Sequence, residues 1–245
     1  MDSWLLESNQ YELLFDGTWI TIQILAYSFV LGVLLSLVVG VARLSNREWL
    51  RGLALAYVEV ARGISSIVLL FVIAIAIPIL LDVSQSSLIL LAAIALGLNM
   101  GGYGAEIVRG SIQAIPKGQT EASIALNLSP TQRLRHIVLP QAMRLILPPM
   151  GNLTIEILKG TALVSLVGVT DLMQATNLIR SQQLFSESAS DQTIIFVNVL
   201  LIYFVLAQLI NGAFRLAEWR LNKHYQGGDA EVPEPAHAPT AGLTK

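Results

Sequence analysis

Four long stretches of this chain carry no charge, and that constrains its fold more than any other feature. No charged residue falls between Asp16 and Arg43, Arg62 and Asp82, Asp82 and Glu106, or Asp191 and Arg215. These windows hold 26, 19, 23 and 23 residues. The hydrocarbon core of a bilayer takes about 20 residues at 1.5 Å of helix rise each. A fifth apolar stretch, Leu145 to Thr170, carries Glu156 and Lys159 and is the weakest by hydropathy. The pattern predicts an all-α integral membrane protein with five transmembrane helices, near residues 18–42, 57–81, 84–105, 149–170 and 192–214. Composition agrees. With 54% hydrophobic and 13% charged residues, the 245-residue chain lacks the polar surface of a soluble monomer. A net charge of −2 argues against nucleic acid as a partner, and the absence of cysteine excludes disulfides, thiolate metal sites and Cys nucleophiles.

Basic residues orient the spans. Arg43, Arg47 and Arg51 lie between spans one and two. Arg109, Lys117, Arg133, Arg135 and Arg144 lie between three and four, and Arg215, Arg220 and Lys223 follow five. These eleven share one side, whereas the first 17 residues hold four acids and no base. The positive-inside rule then places the N-terminus outside and the C-terminus in the cytoplasm. The acidic flank and the length of span one argue against a cleaved signal peptide. Residues 1–17 are read as an extracytoplasmic segment and 18–223 as the membrane domain. Residues 224–245, rich in Pro, Gly, Ala and acids beyond Gly227, are read as a disordered cytoplasmic tail.

The segment between spans three and four, residues 110–148, has the pattern of ordered short helices. Pro116 suits the first turn of a helix, and Ala122, Ala125 and Leu126 then share one face. Asn127 tolerates the left-handed conformation that ends a helix. Ser129 caps a second helix with Pro130 at its first position, and Pro140 is expected to end or kink it. A helical elbow with small residues and one carboxylate, Glu121, suits docking into a cleft on a partner, or else simply connects two spans.

The run Gly118-Gln-Thr-Glu121-Ala-Ser-Ile-Ala-Leu-Asn127-Leu-Ser-Pro130, with His136-Ile-Val-Leu139-Pro140-Gln141-Ala142, resembles the EAA loop of bacterial ABC-importer permeases, most closely the polar amino acid branch. Leu147-Pro148-Pro149-Met-Gly151-Asn152, Leu158-Lys159-Gly-Thr161-Ala-Leu163-Val-Ser165, Tyr57-Val-Glu59-Val-Ala-Arg62-Gly63 and Ala105-Glu106-Ile-Val-Arg109-Gly110 resemble the same branch, in the same order. The resemblance spans residues 18–223. It implies that the elbow is a coupling element whose first helix sits in a cleft of a separate ATPase, with Gly118, Glu121, Ala122, Ser123, Ala125 and Asn127 at the contact. Ser123 stands for the second alanine of the motif. Asn127 stands for its glycine, at about 1 kcal/mol. Gly160 replaces the acid that usually follows the lysine, and Ile64-Ser65-Ser66 replaces the usual Thr-Pro.

Charges near the membrane offer further candidates. Glu59 with Arg62 and Glu106 with Arg109 repeat Glu-x-x-Arg-Gly at the expected inner ends of spans two and three, where i, i+3 spacing lets each pair neutralise itself. They read as interfacial anchors or parts of a gate. Glu156 and Lys159 share that spacing, with Lys159 about 15 Å into a span starting near Pro149. They either neutralise each other or meet the ammonium and carboxylate of a zwitterion, with Thr161 and Ser165 as neighbours. No G-x-x-x-x-G-K-[ST] sequence occurs, and His136, His224 and His237 all lie outside the spans. The chain is therefore read as a transport subunit with no catalytic or metal site and no cofactor of its own, ATP and Mg belonging to the partner.

Together these features describe a permease subunit of an ATP-driven importer in a bacterial inner membrane. It passes a polar amino acid or a small zwitterion such as a compatible solute. Two ATPase subunits, a second or homologous permease, an extracytoplasmic binding protein and the lipid bilayer are its expected partners. The alternative is an oligomeric channel or secondary transporter independent of ATP, which has no need of a docking elbow.

Overall fold

The computed structural model describes residue 6 and residues 8–82, 87–183 and 192–226. Ten α-helices follow in order among them: α1 (Ser8–Ala42), α2 (Glu48–Gly63), α3 (Ser66–Phe71), α4 (Ile77–Leu80), α5 (Leu88–Gln113), α6 (Lys117–Ala125), α7 (Pro130–Arg133), α8 (Leu139–Gly160), α9 (Leu172–Gln183) and α10 (Gln192–Gln226). Four helical stretches are long and apolar enough to cross a membrane: Ser8–Ala42, Leu88–Gln113, Pro130–Val167 and Gln192–Lys223. The bent pair Glu48–Gly63 and Ser66–Leu80 makes a fifth if counted as one broken span.

Several boundaries differ from the sequence expectation. Helix α1 begins at Ser8, inside the segment read as extracytoplasmic, and α5 continues to Gln113, beyond the span expected to end near 105. The helix that carries the fourth span begins well before 149: it is continuous from Pro130 through Val167, over 38 residues. The 110–148 loop thus reduces to α6 and its two turns. Residues 224–226 end α10, and the rest of the tail, with His237, lies outside the described residues.

Pro140 neither ends nor sharply kinks the fourth span because a π turn, Leu134–Val138, precedes it. A helical proline clashes with the carbonyl four residues back, here that of His136 inside the wider turn. Leu139 N–H donates to Leu134 O, five residues back. The same device accommodates Pro78: Val72–Ala76 is a π turn, Ile77 N–H donates to Val72 O, and the carbonyl that Pro78 would strike belongs to Ala74. The large bend in span two lies instead at Gly63–Ser65, where α2 and Ser66–Leu80 meet at 103°.

The core is the seam between α1 and α5. Small side chains on α1 recur every fourth residue, with Ser28, Gly32, Ser36 and Gly40 all buried. Lipid gives apolar side chains no reason to leave it, so helices in a membrane associate by close backbone approach and interhelical hydrogen bonds. A Cβ at Gly32 would lie 2.7 Å from the Met100 side chain, one at Gly40 2.8 Å from Ala105 O, and one at Gly104 would overlap the Ser36 hydroxyl. Ser28 Oγ donates to Ala93 O across the seam. Gly168 has a different duty, ending the 3₁₀ turn Thr161–Val167 at φ +87° with open space around it. A second apolar cluster, built on Leu14, Leu172, Ile179 and Ile195, holds α9 between α1 and α10 at the end opposite Arg43.

The seam makes a direct prediction. Gly40→Leu should lower the apparent melting temperature in detergent by several degrees, on the order of 3 kcal/mol from overpacking against backbone. Gly52→Leu, with nothing within 4 Å of its Cβ, should stay within about 0.5 kcal/mol of the parent.

Candidate functional site

The elbow at the basic end of the bundle, where Arg43, Arg47 and Arg109 also lie, is built by local capping. Pro116, at φ −56° and ψ 135°, is the N-cap of α6, one residue before the first turn in which the sequence placed it. At the other end Asn127 takes φ +57°. Leu128 N–H donates to Ser123 O and Asn127 N–H to Ile124 O, which satisfies two carbonyls the helix end would leave open, a Schellman motif with asparagine where glycine is usual. Ser129 and Gln132 then form a reciprocal capping box that starts α7. Gln141 Nε2 donates to Gln119 Oε1 and ties α6 to α8.

Helix α6 presents Gly118, Glu121, Ala122 and Ala125, spaced i, i+3, i+4 and i+7, as one exposed face. Ser123 is not on it: the side chain is buried and its hydroxyl donates to Thr120 O. Two apolar residues beside this face, Ile124 and Leu126, are 54% and 74% exposed. They lie on a short helix outside any membrane span, so water faces them unless a partner does.

Next to the elbow, Glu106 is held from both sides. Its Oε1 accepts from Arg43 Nε at 3.1 Å, and its Oε2 from Arg109 Nε and Nη2 at 3.0 and 2.7 Å. Both ion pairs among the described residues converge on this carboxylate. Arg109 pairs as the spacing suggested. Arg43, assigned by sequence only to an orienting role, locks the end of α1 to α5.

The Glu59–Arg62 pair is not formed, and it lies in the last turn of α2, at the break within span two rather than at the inner end of that span. Arg62 stacks its guanidinium 5.4 Å from the ring centroid of Tyr103, about 15 Å short of the basic end of α5. Glu59 and Arg62 are both exposed, beside the break between α2 and α3. Asn99 pins that break, donating to Ala61 O at 2.9 Å and accepting from Ser66 Oγ at 3.2 Å. The buried amide reads as one more residue of an apolar helix in sequence and was missed.

Glu156 and Lys159 also remain unpaired. Both are exposed on α8, continuing Asn152 along one face at i, i+4 and i+7. Lys159 opens into a groove of about 330 Å3 against Tyr203, Phe204, Gln208 and Asn211 of α10. Lys159 lies within the apolar helical stretch Pro130–Val167, far from its start. Its neighbour Gly160 approaches Leu96, about 12 Å from the start of α5. Thr161 does not join this face, being fully buried with its hydroxyl on Leu158 O. Ser165 is half-buried and donates to Ala162 O.

At the opposite end, Asp171 caps α9 beyond the spans. Its Oδ1 accepts from Gln174 N–H, its Oδ2 is buried without a partner, and burial pushes the carboxyl up to about 6 against the pull of those backbone donors. An acid just before an apolar-periodic run is a helix-start signal that sequence reading passed over.

The sequence profile of the binding-protein-dependent transport system inner membrane component family matches residues 28–223. The chain belongs to this family. It is 39% identical over 206 residues to the probable amino-acid ABC transporter permease protein y4tF of Sinorhizobium fredii, covering 82% of this chain and 84% of that one. It is 31% identical over 223 residues to the L-cystine transport system permease protein TcyB of Bacillus subtilis, covering 90% and 91%. The crystal structure of an amino acid ABC transporter with histidines superposes with a TM-score of 0.75 at 28% identity, over 86% of this chain and 94% of that chain. The chain is thus a permease subunit of an ATP-driven importer, a transport component whose ATP hydrolysis resides in a separate subunit. Membership implies an ATPase, a binding protein and a permease as partners, and it sets aside the channel or secondary transporter.

The Asp171 carboxyl gives this permease a pH signature. Its folded value of about 6 lies above the ordinary 3.8, so folding favours the protonated form. The penalty of ionisation is complete above pH 6 and vanishes below about pH 4. Asp171→Asn, which keeps the cap acceptor, should raise the apparent melting temperature at pH 7.5 by a few degrees, from about 2 kcal/mol. That gain should shrink steadily as the scans move from pH 6 to pH 4. A gain independent of pH would assign it to packing instead.

Proposed function

We propose that this permease passes a polar amino acid or a similar small zwitterion inward by alternating access. Two ATPase subunits, with ATP and Mg bound to them, dock on the exposed face of α6 in each of two permease copies, identical or homologous. The binding protein delivers ligand at the opposite end, which faces outward, and the basic end with the C-terminus faces the cytoplasm. The asymmetry of eleven basic residues supports this orientation. The names of the amino-acid and L-cystine relatives support the substrate class.

The observation that carries the reading is the exposed stripe Asn152, Glu156 and Lys159 on a membrane-crossing helix. Facing lipid, these groups would cost several kcal/mol, so a water-filled pathway between two permeases is their natural setting. There Lys159 can receive a carboxylate and Glu156 an ammonium, the two ends of an amino acid. Thr161 is withdrawn from that path by its burial, and Ser165 borders it.

Uptake in proteoliposomes containing the complete transporter tests the stripe. Lys159→Met and Glu156→Gln should each raise KM about 10-fold or more while insertion stays normal, as expected for loss of a charge-assisted hydrogen bond. Unchanged uptake kinetics would remove both residues from the pathway. Docking has its own readout, helped by the absence of native cysteine. Ala122→Cys or Ala125→Cys should crosslink to a cysteine in the ATPase cleft, whereas Ser123→Cys, buried, should not.

A further inference from the structure

A groove of about 590 Å3 lies at the basic end, between the last turn of α1, the end of α5 and the elbow. Leu44, Ile112, Ile115 and Leu134 form an apolar floor, and Thr131 and Arg133 lie on the elbow side. The Nε of Arg133 is buried without a hydrogen-bond partner among the described residues, and Arg47, next to the groove, is exposed and forms no ion pair among them. An apolar floor with unpaired arginines at its edge suits a short acidic segment that also carries apolar side chains. This chain supplies one. Helix α10 ends at Gln226 on the same end of the bundle, since Phe214 packs on Gly151 and the two helices run in opposite directions. Nineteen residues follow, including Asp229, Glu231-Val-Pro-Glu234-Pro-Ala236, with Lys245 as the only Lys or Arg.

We propose that the acidic, proline-containing segment Glu231–Ala236 docks in this groove of its own chain and restrains the elbow. Val232 and Pro235 cover the floor, while Glu231 and Glu234 meet Arg133 and Arg47. The reach is set by the ten residues from Gly227 to Ala236, a length of chain that spans about 17 Å on average and about 35 Å fully extended. Prolines 233 and 235 limit the entropy lost on docking. Tethering supplies an effective concentration on the order of 1 mM, so a contact too weak to survive between separate molecules is populated within one. The groove borders α6 through Thr120 and α7 through Pro130. An occupied groove therefore holds the elbow against α1 and α5 and limits the movement that coupling requires. The regulatory consequence rests on the coupling role proposed above; the docking itself does not.

The test uses the full chain in its complex with the ATPase, in nanodiscs. Pro235→Cys paired with Asn46→Cys or Thr131→Cys should form an intramolecular disulfide under mild oxidation, at least fivefold more than Pro235→Cys with Lys117→Cys off the groove. Arg133→Gln and 0.5 M salt should each reduce that yield severalfold. A chain ending at Gln226 should hydrolyse ATP in the basal state two- to fivefold faster, with substrate-driven uptake retained. Equal yields at groove and control positions would overturn the docking, as would a disulfide formed only between two chains. Unchanged basal hydrolysis would overturn the restraint. Absence of ATP-driven uptake by the unmodified complex would instead strike the proposed function, and the disulfide pattern would still report on docking.

Discussion

Everything in this molecule is positioned from the contact between α1 and α5, and its physics differs from that of a soluble core. Lipid is as apolar as leucine, so burying leucine between two spans gains little. What holds α1 to α5 is distance: Ser28, Gly32, Ser36 and Gly40 remove side-chain bulk from one helix, and Gly97, Gly101 and Gly104 remove it from the other. Backbones then approach until Ser28 reaches Ala93 O. At the basic end of the seam, Glu106 joins Arg43 of α1 to Arg109 of its own helix. A charge cluster there would be expensive to leave unpaired, and it fixes how the elbow hangs from the bundle.

From that rigid pair the rest is arranged by interruptions of helix, each with its own chemical answer to the freed backbone groups. The π turns before Pro78 and Pro140 widen the helix so that a proline ring fits without ending it. The break at Gly63–Ser65 is different, because it turns the chain by 103° and frees backbone groups deep in the membrane. There Asn99 takes Ala61 O and Tyr103 donates to Arg62 O. Irregular backbone at such depth is tolerated only against protein or a water-filled cavity. At this break the protein is α5, which supplies Asn99 and Tyr103 to the freed carbonyls.

Legibility in the sequence followed the range of the interaction. The spans, the left-handed Asn127 and the Ser129 cap were readable because each depends on a few neighbouring residues and one local geometry. The long helix leading into span four was not legible because hydropathy falls where Arg133, Arg135 and Arg144 occur, whereas helix there continues on backbone hydrogen bonds that charge does not interrupt. The i, i+3 rule identified Glu106–Arg109 but misjudged Glu59–Arg62 and Glu156–Lys159. It states which side chains can meet, and Tyr103 and the α8–α10 groove decided that they did not. Asn99 and Arg43 act across 38 and 63 positions of sequence. No local pattern reports such pairings.

A single copy of this chain carries a contradiction that its own fold does not resolve. Asn152, Glu156, Lys159 and Arg62 are exposed at depths where lipid would surround them, while Ile124 and Leu126 are exposed where water would. Each set is placed wrongly for its solvent by a few kcal/mol, and burial in the bundle would remove them from any function. Under the function proposed above, both errors have the same correction, contact with another subunit: a second permease across the polar stripe and an ATPase over the apolar residues beside α6. The two faces are close along the chain, since the helix that bears Lys159 is continuous back to Pro130 and only the Schellman turn separates it from α6. Under the proposed coupling, a displacement of α6 passes through one short turn into the single helix that bears Lys159.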